Sequence, residues 1–82
     1  MKTFFFDSAA LGERTINYSL VADTPGADRG EYGILIESDG EQVLIPALSF
    51  SRRGVQELLG RMCRGLVTPV TARDIAEDWL AG

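Results

Sequence analysis

The stretch that decides the fold is residues 32–45, YGILIESDGEQVLI. Two apolar runs flank Asp39-Gly40, a pair typical of the type I′ turn of a β-hairpin because both central residues of that turn have positive φ. If Ser38 pairs with Glu41, six side chains fall on one face of the sheet. These cross-strand pairs are Ile36 with Val43, Ile34 with Ile45, and Tyr32 with Ala47. The sequence therefore predicts an antiparallel hairpin with one apolar face.

The second strand of this hairpin carries a proline. Pro46 falls opposite Gly33 in the same register. Because proline has no N–H for the ladder, we expect an edge strand or the end of the pairing at this point. The opposite face of the hairpin is mixed, with Leu35 facing Leu44. This pattern predicts a sheet that is covered on one side only.

Further strand signals precede the hairpin. Thr15–Ala22 alternates apolar and polar residues, with Val21 the one apolar residue on the polar face, and predicts a strand. Asp23–Gly30 carries Pro and Gly turn signals and predicts a loop. The aromatic run Thr3–Phe6, bounded by Asp7-Ser8, is compatible with a first strand, an N-terminal arm packed on the sheet, or a contact between two copies.

The periodicity changes to that of a helix in the second half of the chain. Ser51 is a candidate N-cap and Gly65 a candidate C-cap of the first predicted helix. Its apolar residues recur at helical spacing and form one stripe. They are Val55, Leu58, Leu59, Met62 and Cys63.

A second amphipathic helix is predicted to begin near Thr71. Its hydroxyl is suited to cap the helix, and Asp74 three residues later resembles the acid of a capping box. Thr68-Pro69 ends the preceding helix. The apolar positions of the second helix are Ala72, Ile75, Ala76, Trp79 and Leu80.

Together these elements predict an α+β fold, a three- to four-stranded antiparallel meander followed by two amphipathic helices packed on one face. The 82 residues form one small domain, 1–82, which is β-rich over 1–50 and helical over 51–82. A chain of this length has a thin core. Tyr18 and Trp79 belong to residue types that anchor interfaces, but their spacing places both in the core.

The charge is unevenly distributed along the chain. The net charge is −4; residues 1–50 carry three basic and eight acidic side chains, whereas residues 51–66 carry four arginines and one glutamate. The four arginines are Arg52, Arg53, Arg61 and Arg64. They are either the solvated face of a helix or a surface that binds an acidic protein or RNA. We take them as the candidate interaction surface.

Few side chains are suited to catalysis or metal binding. The chain has no histidine and one cysteine, which excludes the usual catalytic triads and His/Cys zinc sites. Cys63 lies on the apolar stripe, which predicts a buried, inert thiol. Glu37, Asp39 and Glu41 cluster at the hairpin tip, where we expect a solvated turn because no EF-hand pattern is present. We therefore predict no catalytic residue, no cofactor and no metal site.

The two helices together resemble a helix–turn–helix motif in outline. The second helix, however, presents Asp74, Glu77 and Asp78 beside Arg73, which is unfavourable against phosphates. We expect a small non-enzymatic protein-interaction or regulatory module with a protein partner or self-association. The alternative is a nucleic-acid-binding regulator that uses the C-terminal helix pair.

The lengths of the apolar runs in the sequence predict the location of the protein in the cell. Asp7 breaks the N-terminal apolar run before the length of a signal peptide is reached. No run approaches the roughly 20 apolar residues that span a bilayer. We therefore expect a cytoplasmic chain with no membrane partner.

Several short segments resemble a known family. They are Tyr32-Gly33-Ile34, Ile45-Pro46 leading into Ser51, and Val67-Thr68-Pro69-Val70 preceding Arg73–Leu80. Over residues 15–81 the chain resembles small bacterial proteins of a family catalogued only as a domain of unknown function, mainly from Gram-positive, clostridia-like bacteria. The resemblance implies a cytoplasmic bacterial protein and supplies no catalytic residues.

Overall fold

A computed structural model describes residues 2–22 and 31–82. These residues form four strands and then two helices: β1 (Lys2–Leu11), β2 (Arg14–Ala22), β3 (Tyr32–Ser38), β4 (Glu41–Ser49), α1 (Arg52–Arg64) and α2 (Pro69–Ala81). The strands make one antiparallel sheet in the order β1-β2-β3-β4. The predicted α+β meander is confirmed, with four strands. The predicted loop at Asp23–Gly30 lies outside the described residues.

The hairpin between β3 and β4 has the predicted turn. Asp39 and Gly40 have φ values of 48° and 79°, as a type I′ turn requires. The register is confirmed from the Ser38–Glu41 pair next to the turn to the pair of Ile34 with Ile45. The turn chemistry therefore determines the pairing of the first five residues on each side.

Beyond Ile45 the register of β4 changes. Tyr32 pairs with Ser49, so the predicted pairing with Ala47 is wrong. The extra residues of β4 form a bulge in which Ala47 has a positive φ of 57° and is exposed. Leu48 points into the core instead, with 8% of its surface exposed.

The bulge begins at Pro46, on an edge strand of the sheet. Within the described part of the chain β4 pairs only with β3. Because no strand lies beyond β4 at this edge among the described residues, the lack of an N–H at Pro46 costs no hydrogen bond there. The prediction of an edge strand or an interrupted ladder at this proline is confirmed.

The aromatic N-terminus is a strand, and it is longer than predicted. β1 continues past Asp7-Ser8 to Leu11 and pairs with β2 along its length. The chain reverses at Gly12-Glu13, where Gly12 has a φ of 63°. A two-residue turn with glycine first is typical of a β-hairpin, and this signal sets the end of β1.

The core lies between the sheet and the two helices. Its fully buried large side chains come chiefly from β2, β3 and α1, and each contributes about 1.5 to 3 kcal/mol of hydrophobic free energy. They are Ile16, Tyr18, Leu20, Ile34, Ile36, Val55, Leu58, Leu59 and Met62. The core position predicted for Tyr18 is confirmed. Val21 is also buried, although it lies on the opposite face of β2 from this core.

The first helix has the predicted ends. Ser51 is its N-cap, and the Ser51 hydroxyl accepts a hydrogen bond from the N–H of Gly54 at 3.0 Å. Gly65 is the C-cap, and its N–H donates to the carbonyl of Arg61. The left-handed conformation that follows a helix belongs to Leu66, with φ of 55°.

The second helix begins at Pro69, two residues before the predicted start at Thr71. Proline is favoured at the first helical position because the N–H it lacks has no partner there. Thr68 is the N-cap residue but makes no side-chain cap hydrogen bond. The capping box predicted with Asp74 is therefore wrong.

The apolar stripe of α2 is only partly buried. Ala72 and Ala76 are buried, and Trp79 packs half-buried against the core. Ile75 and Leu80 are 38% and 56% exposed. The helix therefore packs on the sheet through its small residues, and its larger apolar side chains line the margin of the core.

Candidate interaction surface

The four arginines proposed as a surface are all exposed on α1. The stripe from Val55 to Met62 faces the sheet, so the remaining positions of the helix face outward. Each of the four arginine side chains is exposed: Arg52, Arg53, Arg61 and Arg64. Within residues 2–22 and 31–82 the ion pair present is Arg14 with Asp39. The four arginines of α1 thus have no close carboxylate partner among the described residues.

Helix α1 runs alongside β1 in the same direction. Three contacts come in chain order on both elements: Arg52 with Phe4, Gly60 with Phe6, and Cys63 with Ser8. The guanidinium carbon of Arg52 lies 5.6 Å from the ring centroid of Phe4, within the range of a cation–π contact. The helix therefore runs in the same direction as the part of β1 from Phe4 to Ser8, while it also packs on the other strands of the sheet.

A basic groove lies between this strand and the helix. Its volume is about 430 Å³. Arg53, Arg61 and Arg64 line it together with the ring of Phe6, and Glu57 is the one carboxylate that the described residues contribute to its lining. The structure thus brings three of the four predicted surface residues into one groove. Arg52 does not line this groove; its guanidinium lies over the ring of Phe4.

Phe6, which lines the groove, lies at a bulge in β1. Phe5 pairs with Ser19 and Asp7 pairs with Tyr18, so Phe6 is an extra residue between two regular pairs. Bulges re-aim side chains at the edges of sheets. The ring of Phe6 extends to Gly60, where it lies 3.9 Å from the position that a Cβ would occupy.

Sequence reasoning missed Phe6 as part of this surface. The run Thr3–Phe6 was compatible with a strand, an arm or a dimer contact, and none of these interpretations joined it to the arginines. The contact links residues that are far apart in the chain, and no local pattern reports it. Gly60 is not a signal for it either, because a Cβ at Gly60 would lie at an ordinary contact distance of 3.9 Å from the Phe6 ring.

The single thiol lies at the end of the groove. Cys63 is half-buried, less covered than predicted, and its Sγ donates to the carbonyl oxygen of Ser8 at 3.8 Å. Burial raises the pKa of the Cys63 thiol, the charge of Asp7 raises it further, and the charge of Arg64 lowers it. The thiol therefore stays protonated at neutral pH, and a protonated thiol is a poor nucleophile.

The acidic residues at the hairpin tip form a solvated turn. Glu37, Asp39 and Glu41 are all exposed, and the Asp39 carboxylate accepts a hydrogen bond from the guanidinium of Arg14. In the part of the chain that the structure describes, no group of three or more His, Cys, Asp and Glu side chains is placed to hold a metal ion. Asp39 thus serves the turn and an ion pair.

A second depression lies between the two helices. Its volume is about 570 Å³, and Leu58, Ile75 and Trp79 supply its apolar surface. Arg61 and Asp78 add one charge of each sign to the lining. Because these charges balance, the depression has no electrostatic preference for an acidic or a basic partner.

The outer side of α2 has the opposite charge to that of α1. Asp74, Glu77 and Asp78 are exposed, together with Arg73. The acidic face predicted from the sequence is therefore present. The two helices offer two neighbouring surfaces, one basic and one acidic.

None of the helices among the described residues is long and apolar enough to cross a membrane. A family model described as a family of unknown function, DUF6514, matches residues 3–82. The match includes the Phe-rich N-terminus, which the resemblance over residues 15–81 left out. Comparisons with curated proteins and with solved structures give no match. The chain belongs to the family of unknown function DUF6514.

Proposed function

We propose that this chain is a small non-enzymatic interaction or regulatory module that binds a protein partner through the basic groove. The observation that carries the proposal is the lining of that groove. Arg53, Arg61 and Arg64 line the groove together with the ring of Phe6, and none of them pairs with a carboxylate of the described residues. A partner with exposed carboxylates supplies what these arginines lack.

The chemistry of the groove suits a protein surface. Arginine binds carboxylates through parallel hydrogen bonds, and it is enriched at interfaces together with aromatic residues. Phe6 is 37% exposed and Phe4 is 42% exposed, so apolar surface adjoins the positive charge. Such a mixture favours a folded or extended protein segment with acidic and apolar side chains.

The rest of the chain disfavours a long polyanion. The net charge is −4, and the exposed face of α2 carries three carboxylates. These charges repel the phosphates of an extended nucleic acid but leave a local acidic segment free to reach α1. For this reason we favour a module that binds a protein partner over the alternative, a regulator that binds nucleic acid through both helices.

The absence of an enzymatic role is part of the proposal. Its support is the shortage of reactive side chains: the chain has no histidine, and the pKa of its one thiol is raised by burial. A bacterial, cytoplasmic location is also proposed. It is supported by the resemblance to clostridia-like proteins and by a single cysteine, which offers no intramolecular disulfide for an oxidising compartment.

The test is affinity purification from the source cells with charge-reversed variants. The wild-type chain should recover one stoichiometric protein partner, and Arg61→Glu combined with Arg64→Glu should lose it. Arg73→Glu is the control, because it makes the same type of substitution once, rather than twice, at an exposed arginine of the other helix. It should retain the partner. Circular dichroism verifies that every variant is folded.

Two outcomes would count against the proposal. Equal recovery of the partner by all three proteins would show that the basic groove is not the binding surface. Recovery of nuclease-sensitive material, with binding that weakens steeply as salt increases, would favour the nucleic-acid regulator instead.

A further inference from the structure

We infer, on the basis of the proposed function, that the partner binds as an extended acidic segment that adds a fifth strand to β1. In this arrangement the backbone of the segment pairs with the free edge of β1, and alternate side chains reach the arginines of α1. Strand addition is a common mode of peptide recognition, in which main-chain hydrogen bonds supply affinity and side-chain pockets supply specificity.

The edge of β1 is open to such a partner. β1 is ten residues long and is the first strand of the sheet, so among the described residues it pairs with β2 alone. All of its residues except Ala9 are exposed. A long edge with unpaired N–H and C=O groups is a template for another strand, and natural proteins usually cover or interrupt it.

The arginines are spaced to match a strand beside β1. Helix and strand run in the same direction, as the contacts of Arg52 with Phe4 and of Gly60 with Phe6 show. From Arg53 to Arg64 the helix axis rises roughly 16 Å, which is the length of about five residues of a strand. Acidic side chains at alternate positions of a short strand therefore reach both ends of the groove.

The other face of the added strand meets a different surface. Successive side chains of a strand point to opposite faces. Phe5 lies on the face away from α1 and is 66% exposed. An apolar or β-branched residue between the acidic ones would pack beside this ring as a cross-strand neighbour. The groove and the edge together select a segment in which acidic and apolar residues alternate.

A second copy of the chain that paired through its own β1 would not have this chemistry. The β1 strand of another molecule would bring Lys2 and Asp7, one charge of each sign, and so has no net negative charge to offer the arginines. The charge complementarity therefore points to an acidic segment of a different protein.

The inference is tested with labelled seven-residue peptides, capped at both ends, in which glutamate and valine alternate. Two further peptides carry N-methyl groups, one on the valine amides and one on the glutamate amides. The N–H groups of successive residues in a strand point to opposite edges, so either the valine amides or the glutamate amides, but not both, would face β1 in an added strand. The unmodified peptide should bind, one methylated peptide should bind at least tenfold more weakly, and the other should bind nearly as well as the unmodified one.

Two controls test the remaining parts of the inference. A peptide with glutamine in place of glutamate should bind at least tenfold more weakly, as should the original peptide to the Arg53→Gln, Arg64→Gln protein. Hydrogen exchange measured by NMR should slow at amides of β1 when the original peptide is added.

The outcomes separate this inference from the proposed function. If both methylated peptides bind equally and binding still requires the arginines, strand addition is wrong but the basic groove remains a binding surface. If binding is the same with the arginine variant, the groove itself is wrong as well. Absence of binding at millimolar peptide, or β1 amides already protected in a dimer that dissociates on dilution, would overturn strand addition.

Discussion

Gly33 allows the backbone of β4 to pass close to the backbone of β3. A Cβ at this position would meet the carbonyl oxygen of Ile45 and would lie 2.7 Å from the Cα of Pro46. Both neighbours are backbone atoms, so they cannot move away as a flexible side chain would. The bulge that turns Leu48 into the core therefore depends on the absence of a side chain at one residue of the opposite strand.

Alanine at Gly33 and alanine at Gly60 should have opposite effects. Gly33→Ala should lower the free energy of unfolding by about 3 kcal/mol, because backbone atoms must shift to admit the Cβ. Gly60→Ala should raise it by about 0.5 to 1 kcal/mol, because alanine loses less conformational entropy in a helix. The nearest atom to the new Cβ at Gly60 is Nη1 of Arg64, at 3.4 Å. Urea unfolding measures both changes, and an equal loss in the two variants would contradict this account.

At the scale of the elements, the two helices begin by different means. The N-terminus of α1 has a side-chain cap, in which the Ser51 hydroxyl accepts from the N–H of Gly54. The N-terminus of α2 has Pro69 in its first turn, and its N-cap residue Thr68 makes no such hydrogen bond. The two caps therefore contribute unequally to stability, although serine and threonine are both common N-cap residues.

Removing the two cap hydroxyls should show this difference. Ser51→Ala should lower the free energy of unfolding by about 1 kcal/mol, since it leaves a helix N–H without its acceptor. Thr68→Ala is the matched control and should change it by less than about 0.5 kcal/mol. Thermal and urea unfolding give both values. A cost at Thr68 as large as the cost at Ser51 would mean that the threonine hydroxyl caps α2 in solution.

At the scale of the whole molecule, Tyr18 connects the sheet to the segment between the helices. Its ring is fully buried on β2, and its hydroxyl donates to the carbonyl oxygen of Val67 at 2.7 Å. Burial, with a further contribution from the charge of Cys63, raises the pKa of Tyr18 from 10.0 to about 12. The hydrogen bond that holds the segment between the helices to the sheet thus requires the Tyr18 hydroxyl to be protonated.

This requirement predicts a loss of stability at alkaline pH. Because the folded-state pKa of Tyr18 is about 12 and the ordinary value is 10.0, the unfolded chain releases the phenolic proton first as pH rises. The contribution is fully present below pH 10, and the free energy of unfolding should fall by about 2 to 3 kcal/mol between pH 10 and 12. Urea unfolding at a series of pH values measures this fall.

Two variants test whether the buried phenol of Tyr18 causes this decrease in the free energy of unfolding. Tyr18→Phe should be less stable at neutral pH, because it lacks the hydrogen bond to Val67, and should show a smaller decrease above pH 10. Tyr32→Phe keeps the Tyr18 hydroxyl and should retain the full decrease. Identical pH profiles for Tyr18→Phe and the wild-type chain would show that another group is responsible.

The candidate surface was predictable in part. The four arginines were identified from charge segregation alone, and the stripe from Val55 to Met62 was sufficient to place Arg53, Arg61 and Arg64 on the solvent side of a helix. Their association with Phe6 was not predictable. It depends on where α1 crosses the sheet, and that position is set by packing between distant parts of the chain.

The sequence by itself determined the element types, the register next to Asp39-Gly40, and the start of α1 at Ser51, because these features arise from interactions between residues close together in the chain. Only the tertiary structure decided the bulge opposite Gly33, the partial burial of α2, and the groove between Phe6 and α1. Each of these depends on which backbones and side chains meet once the helices pack on the sheet. Local periodicity and turn chemistry contain no information about those distances.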